Sequence, residues 1–369
     1  MEDAWFQVSN AVEIPSPALV VYVERAQENI RRMIAMAGGP ERLRPHVKTH
    51  KMAALIELQL QQGITKFKTA TIAEAEMCAR AGALDVVLAM QPVGPNVGRL
   101  VKLMRAFPKT KFSTILDDGE AALQLSAALT AASLKLDVLL DVDLGMRRCG
   151  IEPGPGAVGL FQHISSLAGL RAAGLHAYDG HIHEPDRALR EEQCDQAFAL
   201  VTGLAKDLRK AGLKVETIIA GGTPTFPFHA LRDGVECSPG TCVLNDSGYA
   251  KKYPDLDFLI AAAVLTRVVS KPGPNRICLD LGHKSVASEN PQPRAEFPQL
   301  PDAVPVIHSE EHLVLETPAA ARISVGQVFY AFPRHICPTV ALYSEAVAVV
   351  DGAAEERWPV TARNRILTL

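Results

Sequence analysis

From residue 16 to about 250 the chain alternates short apolar runs with amphipathic stretches, the signature of repeated strand and helix units. Runs at 18–23, 43–48, 66–69, 86–89, 111–115, 136–142, 172–177 and 217–220 read as strands, with one more before Gly240. Between them, 26–37, 51–62, 72–81, 94–106, 118–131, 191–211 and 226–231 read as helices. Such a series predicts an α/β fold, and its count fits a (β/α)8 TIM-type barrel. A doubly wound sheet is the alternative, but no Gly-x-Gly-x-x-Gly follows the first strand, which disfavours it. After about residue 255 helical periodicity fades. Segments 264–269, 276–280, 312–315, 327–332 and 345–350 are β-rich and separated by Gly/Pro turns, which predicts a second, all-β domain. The expected organisation is a barrel over 16–255 and a β-domain over 256–369, with residues 1–15 packing against the latter. A junction falls at 254–257 and a loop at 290–302.

Composition narrows the function classes. Hydrophobic residues make up 48% of the 369 and charged residues 21%, as in ordinary globular chains. The formal net charge is -3 and no long basic run exists, so a nucleic-acid partner is not expected. No stretch of about 18 apolar residues is present to span a membrane. The acidic start Met1-Glu2-Asp3 lacks the apolar core of a signal peptide. Seven cysteines, odd in number and without a Cys-x-x-Cys pair, predict reduced thiols in a cytoplasmic protein.

Candidate chemistry lies at the carboxyl ends of the expected strands, where barrels carry their sites. Arg44-Pro45-His46-Val47-Lys48-Thr49-His50-Lys51 puts Lys48 at such an end, flanked by His46 and His50. An amine that is desolvated and near other cations loses its proton readily and attacks carbonyls. An aldehyde cofactor held as a Schiff base is the use this suggests; a solvated basic loop is the plain alternative. Asp141, Asp143 and Arg148 follow another strand. Tyr178, His181 and His183 follow the next, as a ring and two candidate bases. Gly221-Gly222-Thr223 and Ser238-Pro239-Gly240-Thr241 are each an ordinary Gly-rich turn when taken alone. Two of them on successive strand ends favour a phosphate cradle of backbone N–H groups and hydroxyls. In the β-domain, His335 and Cys337 sit at i and i+2, on one side of a strand if the segment is extended. Imidazole and thiolate together suit a metal such as zinc; a buried cysteine beside a polar histidine is the alternative.

Together these segments resemble the D-threonine aldolases and eukaryotic-type D-serine dehydratases, fold type III pyridoxal-phosphate enzymes related to alanine racemase. The resemblance spans essentially the whole chain. It rests on 44–51, on Asp143-Leu144-Gly145-Met146-Arg147-Arg148-Cys149-Gly150, on Ala177-Tyr178-Asp179-Gly180-His181, on the two Gly-Thr turns, on Glu310-Glu311-His312 and on His335-Ile336-Cys337. It implies a barrel that carries pyridoxal 5'-phosphate and a β-domain that supplies ligands for a divalent metal, zinc or manganese. By it, Lys48 is the Schiff-base lysine, and Arg148 and Tyr178 contact the cofactor ring. Gly222, Thr223, Gly240 and Thr241 hold the phosphate, and His335 and Cys337 bind the metal.

The implied reaction is a lyase reaction on a small D-3-hydroxy amino acid. Aldolase-type cleavage to glycine and an aldehyde is favoured over dehydration to a 2-oxo acid and ammonia. Cys337 resembles the dehydratases, whereas Arg148-Cys149-Gly150 and Pro338-Thr339 resemble the aldolases. The family's histidine base falls nearest Glu184, so His181 or His183 replaces it or the base differs. An amino-acid racemase, needing no metal, and a non-catalytic cofactor carrier are further alternatives; the additional β-domain argues against the carrier. The resemblance also implies a homodimer.

Overall fold

The computed structural model describes residues 5–369, and these divide into two units. One gathers the chain up to Arg32, Thr49–Ala53 and Thr241–Arg363. The other gathers Met33–Lys48, Ala54–Gly240 and Asn364–Leu369. The chain opens with strand β1 (Ala18–Tyr22) and helix α1 (Val23–Ala37).

In the second of these units seven parallel strands follow one another in sequence order. They are β2 (Lys66–Thr69), β3 (Asp85–Leu88), β4 (Lys111–Leu116), β5 (Leu136–Asp141), β6 (Leu170–Ala177), β7 (Thr217–Ala220) and β8 (Val235–Cys237). Helix α2 (Ala53–Gln61) precedes β2. The crossovers are α3 (Ile72–Arg80), α4 (Pro95–Ala106), α5 (Gly119–Ala131), α6 (Pro155–Ser166), α7 (Arg187–Lys210) and α8 (Phe226–Ala230). Side-chain caps fix where several of them start. Thr71, Asp118 and Asp186 accept from the N–H groups of Glu74, Ala121 and Leu189, at 3.2, 2.8 and 2.9 Å.

Residues 43–46 join the two edges of this curled sheet. Leu43 bridges to Cys237 of β8 and His46 bridges to Lys68 of β2. Arg44 N–H donates to the Cys237 carbonyl at 2.8 Å, and Lys68 N–H donates to the Pro45 carbonyl at 2.9 Å. The expected strand 43–48 is therefore a short irregular stave. Pro45 has no N–H to continue a ladder, and Val47–Thr49 turns into a 3-10 helix. The buried Arg44 guanidinium fastens the closure through Glu236 at 2.7 Å and Asp85 at 2.8 Å.

Register decides what faces the barrel interior. Val87, Ile115, Leu139 and Ile219 form one apolar cluster there. Lys68 lies beside Val87, Asp141 lies two residues beyond Leu139, and His176 pairs with both Asp141 and Ile219. Side chains alternate along a strand, so Lys68, Asp141 and His176 all point inward.

The other unit is built around a mostly antiparallel sheet of β9 (Ala262–Gly273), β10 (Arg276–Leu279), β11 (Ala295–Glu296), β12 (Val304–His308), β13 (Leu313–Glu316), β14 (Val328–Pro333), β15 (Glu345–Val350) and β16 (Ala353–Pro359). Two short helices accompany it, α9 (Ser247–Lys252) and α10 (Ile336–Val340). The run 18–23, expected as the first barrel strand, is instead β1 of this sheet. It pairs antiparallel with β9 and parallel with β15, and all five of its residues are buried. A fully apolar run carries no alternation to say which sheet it joins. No helix among the described residues is long and apolar enough to cross a membrane.

Candidate active site

Lys48 sits in the Val47–Thr49 turn, directly after the stave 43–46 and half-buried. Its Nζ lies 5.7 Å from the centre of the Tyr178 ring, with the Lys68 Nζ at 5.4 Å and the Arg148 Cζ at 5.2 Å. Three cations thus surround one aromatic ring, an arrangement that ring electrostatics favours. Beneath them runs a chain of polar groups. Lys68 Nζ is 3.3 Å from His176 Nε2, and His176 Nδ1 is 2.6 Å from Asp141 Oδ1. Burial pushes the Lys68 amine down to about 7; the Lys48 and Arg148 charges push the same way, and Asp141 and Asp179 oppose them. Burial works to raise the Asp141 carboxyl, but His176, Cys149 and Lys68 together hold it below its ordinary value. Lys68 and His176 were missed as site residues by sequence reasoning. The available signal was a lysine, like Lys48, near the carboxyl end of an expected barrel strand.

The turn after β7 is shaped by close approach. Gly221 has φ +77, and a Cβ there would strike the His229 ring. A Cβ on Gly222 would lie 3.1 Å from Tyr178 Cε2. Gly222 N–H donates to Thr225 Oγ1 at 3.2 Å, and Gly240 N–H donates to Thr223 Oγ1 at 3.2 Å, so the two Gly-rich turns meet. Thr225 Oγ1 in turn donates to Asp179 Oδ1 at 2.8 Å. Arg232 donates to His229 Nδ1 at 2.6 Å, which leaves His229 Nε2–H to donate to Asp179 Oδ2 at 2.7 Å. Cys194 lies close enough to Asp179 and His229 for the three to share a cation. The Arg232 guanidinium, 3.4 Å from the Cys194 sulfur, already supplies positive charge there, and Arg232, His229 and Asp179 form one hydrogen-bonded chain beside the turn. Buried Arg190 staples neighbouring loops by donating to the Pro224, Glu184 and Pro185 carbonyls at 3.0, 2.9 and 3.0 Å.

His181 and His183 separate in the structure. The His181 ring packs on Gly145, and its Nδ1 is buried without a hydrogen-bond partner among the described residues. His183 is exposed, and its Nδ1–H donates to the His181 carbonyl at 2.5 Å.

In the β-sheet unit His335 and Cys337 come together, though not as alternate residues of a strand. Strand β14 ends at Pro333, and His335 is the cap residue of α10. His335 is still extended, but the chain turns helical from Ile336, whose N–H donates to Asp246 Oδ2 at 3.0 Å, so Cys337 is not the next same-side residue of a strand. The two side chains still meet, because His335 hydrogen-bonds Cys337 at this helix start. Burial would lower the His335 imidazole. The Cys337 sulfur, Glu289 at 2.5 Å and Asp246 outweigh it and hold the imidazole up to about 9. Thr49 Oγ1 and Thr241 Oγ1 approach the Cys337 sulfur at 3.2 and 3.7 Å. An imidazole and a sulfur held among carboxylates fit a divalent cation in the place of that proton. Glu310 and Glu311 are exposed and pair with Lys284 at 3.7 and 3.4 Å.

Residues 21–247 match the family model described as alanine racemase, N-terminal domain, and residues 261–349 match a putative serine dehydratase domain. The D-threonine aldolase of Arthrobacter sp. is 33% identical over 95% of this chain and 93% of its own. The chain belongs to the D-threonine aldolase and D-serine dehydratase-like family. The crystal structure of D-threonine aldolase from Filomicrobium marinum superposes with a TM-score of 0.90 at 29% identity, covering 98% of this chain and 99% of that one. The D-threo-3-hydroxyaspartate dehydratase of Delftia sp. (strain HT23) is 26% identical over 94% of this chain and 97% of its own. A solved structure at 24% identity, covering 95% of this chain, is a cysteine-to-alanine mutant of a D-threo-3-hydroxyaspartate dehydratase in the metal-free form. The barrel of this family is a pyridoxal-phosphate fold, and the two glycines shielded by Tyr178 and His229 give this chain a cradle that a Cβ would fill.

Proposed function

We propose that the protein is a pyridoxal-phosphate- and divalent-metal-dependent lyase that cleaves the Cα–Cβ bond of a D-3-hydroxy amino acid of the D-threonine type, giving glycine and an aldehyde. What carries this reading is one chain holding both a lysine under a tyrosine ringed by cations and a His–Cys pair backed by carboxylates. The first suits an aldehyde cofactor, and the second suits a metal that a racemase or a carrier does not need. When bound, pyridoxal phosphate is an electron sink for charge at the substrate α-carbon, and the metal polarises the β-hydroxyl.

The chain's own residues supply the rest. Lys48 offers the amine that captures the cofactor aldehyde. Gly222, Thr223, Gly240 and Thr241 bind its phosphate through N–H and hydroxyl groups, while Arg148 and Tyr178 orient its ring. His335 and Cys337 hold the metal, for which zinc suits the ligand pair better than manganese. His181, with its buried unpaired Nδ1, is better placed than His183 to take the hydroxyl proton. A cytoplasmic homodimer is the form we expect.

Cys337 favours a second reading, dehydration to a 2-oxo acid and ammonia, because a cysteine-to-alanine variant of a D-threo-3-hydroxyaspartate dehydratase is the one described in a metal-free form. The test incubates purified protein with D-threonine, D-serine and D-3-hydroxyaspartate, with and without chelator. Glycine and aldehyde that vanish on chelation and return with metal support the aldolase. Oxo acid and ammonia support the dehydratase. Turnover indifferent to chelator overturns the metal reading. A visible cofactor absorbance band that survives Lys48→Ala overturns the lysine assignment.

A further inference from the structure

Glu289 has no part in the chemistry derived above, yet its carboxylate meets a proposed metal ligand directly. His335 Nδ1–H donates to Glu289 Oε1 at 2.5 Å. Asn290 Nδ2 donates to the same oxygen at 2.9 Å and helps fix where it points. An imidazole has two nitrogens, and the one that gives its proton to a carboxylate leaves the other to bind a metal. We propose that Glu289 is a positioning residue. It fixes the tautomer and ring orientation of His335, so that Nε2 is the nitrogen that takes the divalent metal, and it is not itself a ligand. This rests on reading His335 and Cys337 as the metal ligands.

The backbone on either side of Glu289 is fastened to the turn that carries His335. Thr339 is wholly buried and joins the two segments before Glu289: Ala287 N–H donates to its Oγ1 at 3.1 Å, and its hydroxyl donates to the His335 carbonyl at 2.8 Å. After Glu289, Arg334 N–H donates to the Arg294 carbonyl at 2.8 Å, and the Arg334 guanidinium donates to the Pro291 carbonyl at 3.0 Å. Arg294 Nε donates to the Asn290 carbonyl at 2.9 Å and closes the loop on itself. The carboxylate is thus delivered to Nδ1 by a braced segment. It does not complete a ligand set there. Among the described residues, the His, Cys and carboxylate groups that bring three ligand atoms within 4.8 Å of one another are Asp179, Cys194 and His229, not Glu289 with His335 and Cys337. Glu289 therefore acts on the metal through the ring. A carboxylate behind the ring also favours a proton on Nε2, but a divalent ion carries twice the charge and gains more from it. The alternative is an ordinary surface ion pair, since the His335 and Glu289 side chains are 40% and 48% exposed. A pair that exposed contributes little to stability, so stability and metal affinity separate the two roles.

The test measures zinc binding to the metal-free full chain by competition with a chromophoric chelator, with thermal melts of the metal-free protein alongside. Glu289→Ala should weaken zinc binding by about 10- to 100-fold and leave the metal-free melting temperature at the wild-type value. Glu289→Gln, whose amide oxygen can accept from Nδ1, should recover most of that affinity. Unchanged affinity in Glu289→Ala, or Glu289→Gln binding no better than Glu289→Ala, overturns the positioning role. A metal-free melting temperature that falls together with the affinity overturns it too, because the pair would then be structural. His335→Ala and Cys337→Ala test the reading beneath. Zinc affinity intact in both overturns the metal site itself, whereas affinity lost in both and kept in Glu289→Ala overturns the positioning role alone.

Discussion

His50 is wholly buried two residues after Lys48, its Nδ1 accepting the Met52 N–H at 3.2 Å. Burial pushes its imidazole down to about 3, and Lys51 adds to the effect. In the unfolded chain the same group titrates at about 6.5. Between the two values the unfolded state binds a proton that the native state refuses, so stability falls as the pH drops through this window. The slope is about 1.4 kcal/mol per pH unit, or about 2 kcal/mol on going from pH 6.5 to 5. His50→Asn, whose Oδ1 can accept the same N–H, should lose that share of the acid sensitivity when urea melts at the two pH values are compared. His308, pushed down to about 4 by burial, should leave a residual slope in both proteins. An unchanged slope in the variant would show that His50 charges freely in the folded state. The site residues differ in how openly the sequence displayed them. Lys48 was legible because an apolar run led up to it. Lys68 was not, because Lys66-Phe67-Lys68-Thr69 reads as a strand with one wet face. Only its register beside Val87 turns that lysine inward.

Strands whose polar and apolar residues alternate, or that sit between strong helices, were legible as elements. The crossovers from β2 to β8 were set by apolar periodicity and by caps such as Asp118 and Asp186. Segments defined by what they pair with were not legible. The stave 43–46 looked like a full strand but is limited by Pro45, and 335–337 looked extended but begins a helix that Asp246 caps. Both departures lie beside proposed functional residues. Strand β6 makes a further demand at this scale. Gly174 pairs with Thr217 of β7, and a Cβ on it would run into the Thr217 backbone carbonyl. No flexible side chain stands there to yield. Gly174→Ala should force β6 and β7 apart and destabilise the protein by about 1–3 kcal/mol. Because β6 carries His176 and leads to Tyr178, cofactor retention should weaken in parallel, as read by thermal melts with and without added pyridoxal phosphate. A variant as stable as wild type would mean that the strands part without cost.

The chain enters and leaves its two units more than once, so the sheet of one unit is stitched from both ends of the sequence. Strand β1 lies between β9 and β15, and near it Phe6, Val8 and Ile14 join a core with Leu265, Tyr330 and Val347. In the opposite direction the last residues return to the barrel unit: Thr368 N–H donates to Glu76 at 2.9 Å, and Arg99 donates to the Arg365 carbonyl at 2.7 Å. A change of pattern near residue 255 was visible in the sequence, but long-range pairing of a uniformly apolar strand was not. The consequence is testable by cutting the chain between residues 255 and 256. The first fragment would carry β1 without β9 or β15, leaving Leu19, Val20 and Val21 to solvent. The second would lose the strand that links β9 to β15, and so its sheet would fall into two pieces. Exposed apolar strand edges of this kind aggregate. Each fragment expressed alone should be insoluble, and co-expression should return a soluble pair that co-purifies and binds pyridoxal phosphate. A first fragment that is soluble and monomeric by itself would show that β1 finds a place in the barrel when its sheet partners are gone. The sheet assignment would then be a property of the whole chain rather than of the 18–22 sequence.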